Sequence, residues 1–174
     1  RRSRRIITAQ NVSRMCLVCG VDNPYGLHGR FFVLEPESSD DPPSELLGVF
    51  TTRAEHQSYP GRLHGGISSA ILDETIGRAI LITHPGTWAV TAEFTVRFRA
   101  PVPLESEVRA VARITRDTRR LFEGAGEIVL DDGTVAVEAH GKYLKMTVSE
   151  IAPQTQSGNE WFEDARERPR EVEL

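Results

Sequence analysis

The sequence predicts an α+β fold in which a strongly curved antiparallel sheet wraps around one long central helix. Three observations carry this expectation. Two short apolar strands come first, a single segment of helical period follows, and four long segments of alternating period then run in succession. A helix that is apolar around most of its circumference has to be covered on most sides, and a sheet curling about it is the simplest cover. At 174 residues the chain is expected to be one domain with short tails, large enough to bury a core without disulfide or metal staples.

The elements follow in order. Residues 1–14 hold five arginines (Arg1, Arg2, Arg4, Arg5 and Arg14) and no acid, which reads as a basic, solvated arm before a domain over residues 15–150. The chain does not open on Met, so a trimmed start is expected. Residues 27–34 and 46–52 read as two shorter strands around a Pro-, Ser- and Asp-rich loop at 36–43. Between 65 and 83, Ile67, Ala70, Ile71, Ile76, Ala79 and Ile80 fall on one helical face with Leu72 and Leu81 on its flanks. In 88–99, Trp88, Val90, Ala92, Phe94, Val96 and Phe98 alternate with polar residues such as Thr91, Arg97 and Arg99, the pattern of a long half-buried strand. Ala100-Pro-Val-Pro-Leu104 breaks it, and Val108, Ala110, Ala112 and Ile114 resume the alternation to about Asp117. A turn at Arg119-Arg120 leads to a strand over 121–130, and Asp131-Asp132-Gly133 is a hairpin signal before a last strand with Val135, Val137, Ala139, Gly141 and Tyr143. Residues 151–174 form a charged tail in which Trp161 and Phe162 suggest a short docked helix.

Composition excludes several classes. Lys and Arg number 21 against 25 Asp and Glu, a net charge of −4, which argues against a nucleic-acid binder. No stretch approaches the ~20 apolar residues of a membrane helix, and the basic start lacks the apolar run of a signal peptide. A soluble, cytoplasmic protein is expected. Cys16 and Cys19 are too few for a disulfide framework or a four-cysteine zinc site, and a structural or incidental role is expected for them.

Two carboxylates, Asp73 and Glu74, interrupt the apolar helix, where an acid needs a partner or a purpose. Glu74 has a structural one, lying four residues before Arg78 in the favourable ion-pair order. Asp73 has no opposite charge on its own face, and its neighbours Ser69, Ala70 and Gly77 are small. A carboxylate beside an apolar slot is a candidate base with a raised pKa, or else a cap or interface acid. His64-Gly65-Gly66 precedes the helical period, so backbone N–H groups of the first turn point outward and can hold a developing oxyanion. Glycine there lets an acyl group approach the backbone closely. Asp73 lies nine residues after His64, ~13 Å along the axis, so it cannot meet the amides of its own helix start. If both act on one substrate, two copies of the helix must meet in a symmetric dimer.

The segment Pro60-Gly-Arg-Leu-His-Gly-Gly-Ile-Ser-Ser-Ala-Ile-Leu-Asp-Glu74 resembles the signature of hot-dog-fold acyl-CoA thioesterases, in particular the phenylacetate-pathway, PaaI-like branch. The strand ending in Arg-Ala-Pro-Val-Pro, and the entry Cys16-Leu-Val-Cys-Gly20 with Asn23-Pro-Tyr-Gly-Leu27, are similar to that family too. The resemblance implies catalytic roles for Asp73 as base or nucleophile, Gly65 as the amide that polarises the carbonyl, Thr91 as holder of the water, and the motif histidine His64. Gly66 and Glu74 stand beside them as substrate-binding candidates. Family members carry an Asn shortly before the motif; this chain has none there, and His56 or Gln57 would substitute. Coenzyme A brings phosphates as part of the substrate, with Arg97, Arg99 and Arg62 as candidate contacts. No cofactor or resident metal is implied. The expected partners are an acyl-CoA and a second copy of the chain, possibly as a dimer of dimers. Two rivals share the fold: a non-catalytic acyl-CoA-binding or sensor module, and a hydratase, whose motif the chain lacks.

Overall fold

The computed structural model describes residues 2–155 and 160–174. Arg1 of the expected arm and residues 156–159 of the expected tail lie outside the described residues. The elements are β1 (Ser3–Ala9), β2 (Val12–Ser13), β3 (Arg30–Leu34), β4 (Glu45–Thr51), α1 (Gly65–Ala79), β5 (Trp88–Phe98), β6 (Glu107–Asp117), β7 (Leu121–Val129), β8 (Val135–Met146), α2 (Val148–Ile151), β9 (Trp161–Phe162) and β10 (Glu171–Glu173). An eight-stranded sheet runs in the order β10-β1-β3-β4-β6-β7-β8-β5, and its pairs are antiparallel. Helix α1 packs on β4, β5, β6, β7 and β8, so the expected sheet around a central helix is the observed architecture.

Period two sorts the strands between two cores. Phe31, Val33, Leu46, Phe50, Ala110 and Ala112 turn toward Ile71, Leu72 and Ile76 of α1. Phe32, Leu34, Leu47 and Val111 turn to the opposite face, which Ile6, Val172 and Leu174 cover. The helix can come close because β7 is small where it passes: a Cβ on Gly124 would lie 2.6 Å from the Ile76 Cγ2 and 3.0 Å from the Arg113 carbonyl oxygen. The first strand begins at Arg30 rather than at 27 because His28 has φ of 48°, a left-handed backbone that extended pairing cannot use. Asp131-Asp132-Gly133 makes the expected tight turn, with Gly133 at φ of 84° and the Leu130 and Thr134 main chains bonded across it.

Three expectations need correction. Half of the basic arm, Ser3–Ala9, is strand β1, paired with β3 on one side and β10 on the other. Two of the arm's arginines are paired with acids from around the following loop: Arg2 meets Glu37 at 2.6 Å and Arg4 meets Glu45 at 2.9 Å. Trp161 and Phe162 form strand β9 against β2 instead of a helix, and the Trp161 ring packs on Trp88 with centroids 4.3 Å apart. Strand β5 is half-buried only in part. It pairs with β8 alone and is an edge of the sheet, which leaves Val90 38% and Phe98 57% exposed.

Candidate active site

Asp73 sits in the third turn of α1, facing the start of β5 and the middle of β8. Thr91 Oγ1 donates to Asp73 Oδ1 at 2.8 Å, and the Tyr143 hydroxyl donates to the same oxygen at 3.1 Å and to the Asp73 carbonyl at 3.2 Å. Tyr143 is held rigidly: it is 1% exposed and stacks on Phe122 with centroids 5.0 Å apart and planes 9° apart. Burial pushes the Asp73 carboxyl above its ordinary 3.8, the two hydroxyl donors pull it back, and neighbouring Glu74 adds to the rise. Burial first, then the Asp73 charge, pushes the Tyr143 phenol up, so it stays a donor. Both donors engage Oδ1, and Asp73, Thr91 and Tyr143 line a cavity of about 570 Å³ with Leu81, Trp88 and Trp161. That size suits a small-molecule pocket.

The helix start is built to leave one amide over. His64 is the N-cap, and its Nδ1 accepts from the Gly66 N–H at 2.9 Å. Its carbonyl accepts from Ile67 at 2.9 Å and Ser68 at 3.1 Å, and its own N–H donates to the His56 carbonyl at 2.9 Å. Among the described residues nothing accepts from the Gly65 N–H. Gly65 lines a second, shallower cavity of about 330 Å³ with Tyr59, Arg62, Phe98 and Arg99. Asp73 lines the first cavity and Gly65 the second, eight residues or about 12 Å of helix apart, so one chain does not join them.

The other candidates divide. Gly66 spends its amide on His64, and His64 acts in this chain as a cap. His56 is 4% exposed, with Nδ1 accepting from the Arg53 N–H at 3.1 Å and Nε2 against the Tyr25 carbonyl at 2.7 Å, so it braces the loop instead of facing either cavity. Gln57 is exposed and bridges to Leu63. Glu74 pairs with Arg78 at 2.7 Å, as its spacing implies. Arg97 is exposed on β5, and Arg99 pairs with Glu138 at 2.9 Å. Tyr143 was not among the sequence candidates. The signal was available in principle, since a tyrosine at an inward strand position has to find a partner for its hydroxyl. Cys16, Cys19 and Glu74 place a ligand atom each within 4.8 Å of one another, the one such group among the described residues.

A curved sheet around a helix that opens on His-Gly-Gly and carries an acid at mid-length defines a hot-dog-fold protein. A family model described as "Thioesterase superfamily" matches residues 60–137. Acyl-coenzyme A thioesterase THEM4 of Mus musculus is 30% identical over 101 residues, 58% of this chain and 43% of that protein. Acyl-coenzyme A thioesterase 13 of Homo sapiens is 23% identical over 103 residues, 59% of this chain and 73% of that protein. A crystal structure described as a thioesterase superfamily protein superposes with a TM-score of 0.65 at 28% identity, covering 76% of this chain and 61% of the other. The E. coli PaaI protein of the phenylacetic acid degradation operon has the same fold, with a TM-score of 0.58 at 18% identity, covering 69% of this chain and 80% of its own. The chain thus spans less than half the length of its mouse relative. These comparisons agree on the hot-dog fold and on a likeness to thioesterases, with the family model covering α1 and the strands from β5 to the start of β8. Among the described residues no helix is long and apolar enough to cross a membrane.

Proposed function

We propose that this chain hydrolyses an acyl-CoA thioester to the free acid and coenzyme A, working as a homodimer. The observation that carries the reading is the Asp73 carboxylate, fixed at Oδ1 by Thr91 and Tyr143 in the wall of the cavity. The Thr91 hydroxyl spends its proton on Asp73 and keeps its lone pairs, so a water can donate one hydrogen to Asp73 and the other to Thr91. Its own lone pair then faces the thioester carbon. Asp73 takes the proton as the water attacks, the carbonyl oxygen gathers negative charge on the free amide of the partner subunit's Gly65, and the thiolate leaves with the proton returned to it. The edge strand β5, with Val90 and Phe98 exposed, is the surface on which a second copy would complete two such sites. The exposed Arg62 lines the Gly65 cavity, suited to a coenzyme A phosphate.

Thiol release from a panel of acyl-CoAs, with solution mass measured on the same sample, tests the reading. Release together with a mass of two or four chains is expected. Binding without release would instead favour the sensor module, and a stable single-chain mass would remove the shared site.

The acid limb of kcat/KM should report Asp73, which works only ionised. Its midpoint is expected above 3.8, because burial raises the carboxyl. Thr91→Val removes a donor that stabilises the anion, so the limb should move to still higher pH as well as lowering the plateau. A limb that stays where it was would detach Thr91 from Asp73.

A further inference from the structure

In the wall of the cavity that Asp73 lines, the loop between β2 and β3 brings two sulfurs together that hydrolysis does not use. Cys16 and Cys19 are both unbridged, both line the cavity, and lie within 4.8 Å of each other at their sulfurs. They are not equivalent. Cys16 is part-exposed, and its Sγ accepts from the main-chain N–H groups of Val18 at 3.3 Å and Cys19 at 3.4 Å. Two amides converging on one sulfur form a small anion nest. Cys19 is 1% exposed, with its Sγ beside Ser13 Oγ at 3.3 Å and receiving Arg78 Nη2 at 3.0 Å.

The turn is built for this geometry. The Gly20 N–H donates to the Cys16 carbonyl at 2.8 Å, and a Cβ on Gly20 would fall 2.4 Å from that oxygen and 2.6 Å from the Cys16 nitrogen. Only glycine closes a turn so tight, and the closure sets residues 16 and 19 on one side of it.

A divalent cation fits poorly among these atoms. Arg78 already bonds two of the three candidate ligands, Glu74 at 2.7 Å and Cys19 at 3.0 Å. It is fixed there by the Asn11 carbonyl at 2.8 Å and the Phe31 ring at 4.3 Å, so a metal would have to displace an anchored cation from two of its ligands. A guanidinium in that place favours a sulfur anion over a sulfur–metal bond.

We infer that Cys16 and Cys19 form a thiol–disulfide exchange site on the cavity wall, with Cys16 as the attacking thiolate, Cys19 as the resolving thiol and a low-molecular-weight disulfide as the oxidant. The Cys19 hydrogen bond, with those of the two amides, lowers the Cys16 thiol to about 6, against the raising effects of burial and Glu74. In the first step Cys16 Sγ attacks one sulfur of the small disulfide. A mixed disulfide forms and one small thiolate leaves. In the reduced chain the Cys19 thiol is pushed up, first by its bond to the Cys16 sulfur and then by burial; the mixed disulfide removes the first of these, and Arg78 beside it acts toward ionisation. In the second step Cys19 Sγ attacks Cys16 Sγ, the Cys16–Cys19 bond forms, and the second small thiolate departs. The protons of the two cysteines end on the two released thiols. The inference does not depend on hydrolysis.

The test is intact mass and thiol titration of the full, reduced chain incubated with oxidised glutathione at neutral pH. Because the chain has two cysteines, an intramolecular product has one assignment. The wild type should lose two hydrogens, keep no glutathione, remain the same size on a non-reducing gel, and regain both thiols with dithiothreitol. Cys19→Ser should trap one glutathione per chain, and Cys16→Ser should remain unmodified over the same time. Wild-type protein that keeps both thiols or accumulates the adduct would overturn the proposal, whatever the variants do. So would an adduct on Cys16→Ser, or reduced protein purified with about one zinc per chain that either serine variant loses.

Discussion

Replacing Asp73 by Asn should lower acyl-CoA turnover at least a hundredfold, the low end of the roughly 10²–10⁴-fold that a positioned base contributes. Asn keeps an oxygen to accept from Thr91 and Tyr143, so the loss isolates the base from the geometry around it. Stability should move the other way, or not at all. The folded pKa of Asp73 lies above its unfolded value, so the protonated carboxyl stabilises the fold at low pH, and that contribution is lost as pH rises from 3.8 through the raised folded value. At neutral pH the ionised side chain is therefore a mild liability that a neutral Asn relieves. Turnover by thiol release and a urea midpoint on the same preparation check both halves. Turnover retained within a few-fold would take Asp73 out of the base role, and a fallen midpoint would mean that lost packing explains the lost rate.

How much of this was legible beforehand depends on whether the governing contact was local. Helix α1 and strands β5 to β8 were readable because a period of 3.6 or 2 is written in neighbouring residues, and the Glu74–Arg78 pair because four residues make one helical turn. The arm misled because an arginine cluster taken alone reads as solvated. On one side its strand partners are Glu173, Val172 and Glu171, at the far end of the chain, and no local pattern announces them. At the site, Asp73, Thr91 and Gly65 rested on a spacing and a resemblance. The hydroxyl of Tyr143 on Asp73, 70 residues away, needed the register of β8 against β5 and the passage of α1 across both. The single free amide at Gly65 was foreseeable as a helix-start donor. That His64 would use up its neighbour at Gly66 was not, because a cap is decided by one side-chain rotamer.

Arg78→Leu should cost about 2–3 kcal/mol, the largest loss of stability expected from a single change behind the site. Its side chain is 13% exposed and ties together elements that little else joins: Glu74 on its own helix, the Asn11 carbonyl before β2, the Cys19 sulfur and the Phe31 ring of β3. Leucine fills much of the volume but leaves the Glu74 carboxylate without its cation. Breaking a fully buried pair costs roughly 3–5 kcal/mol, and Glu74, whose side chain is 28% exposed, recovers part of that from water. For a domain of this size the change corresponds to a fall in melting temperature of about 5–10 °C at fixed protein concentration. The double variant Arg78→Leu with Glu74→Leu separates charge from packing. If the orphaned carboxylate is the main cost, the double variant should be more stable than Arg78→Leu alone, since an apolar pair needs no counter-ion. If the loss stays or deepens, the bonds from Arg78 to Asn11 and Cys19 are what hold the loop of β2 against the helix, and the wall of the cavity depends on that one guanidinium.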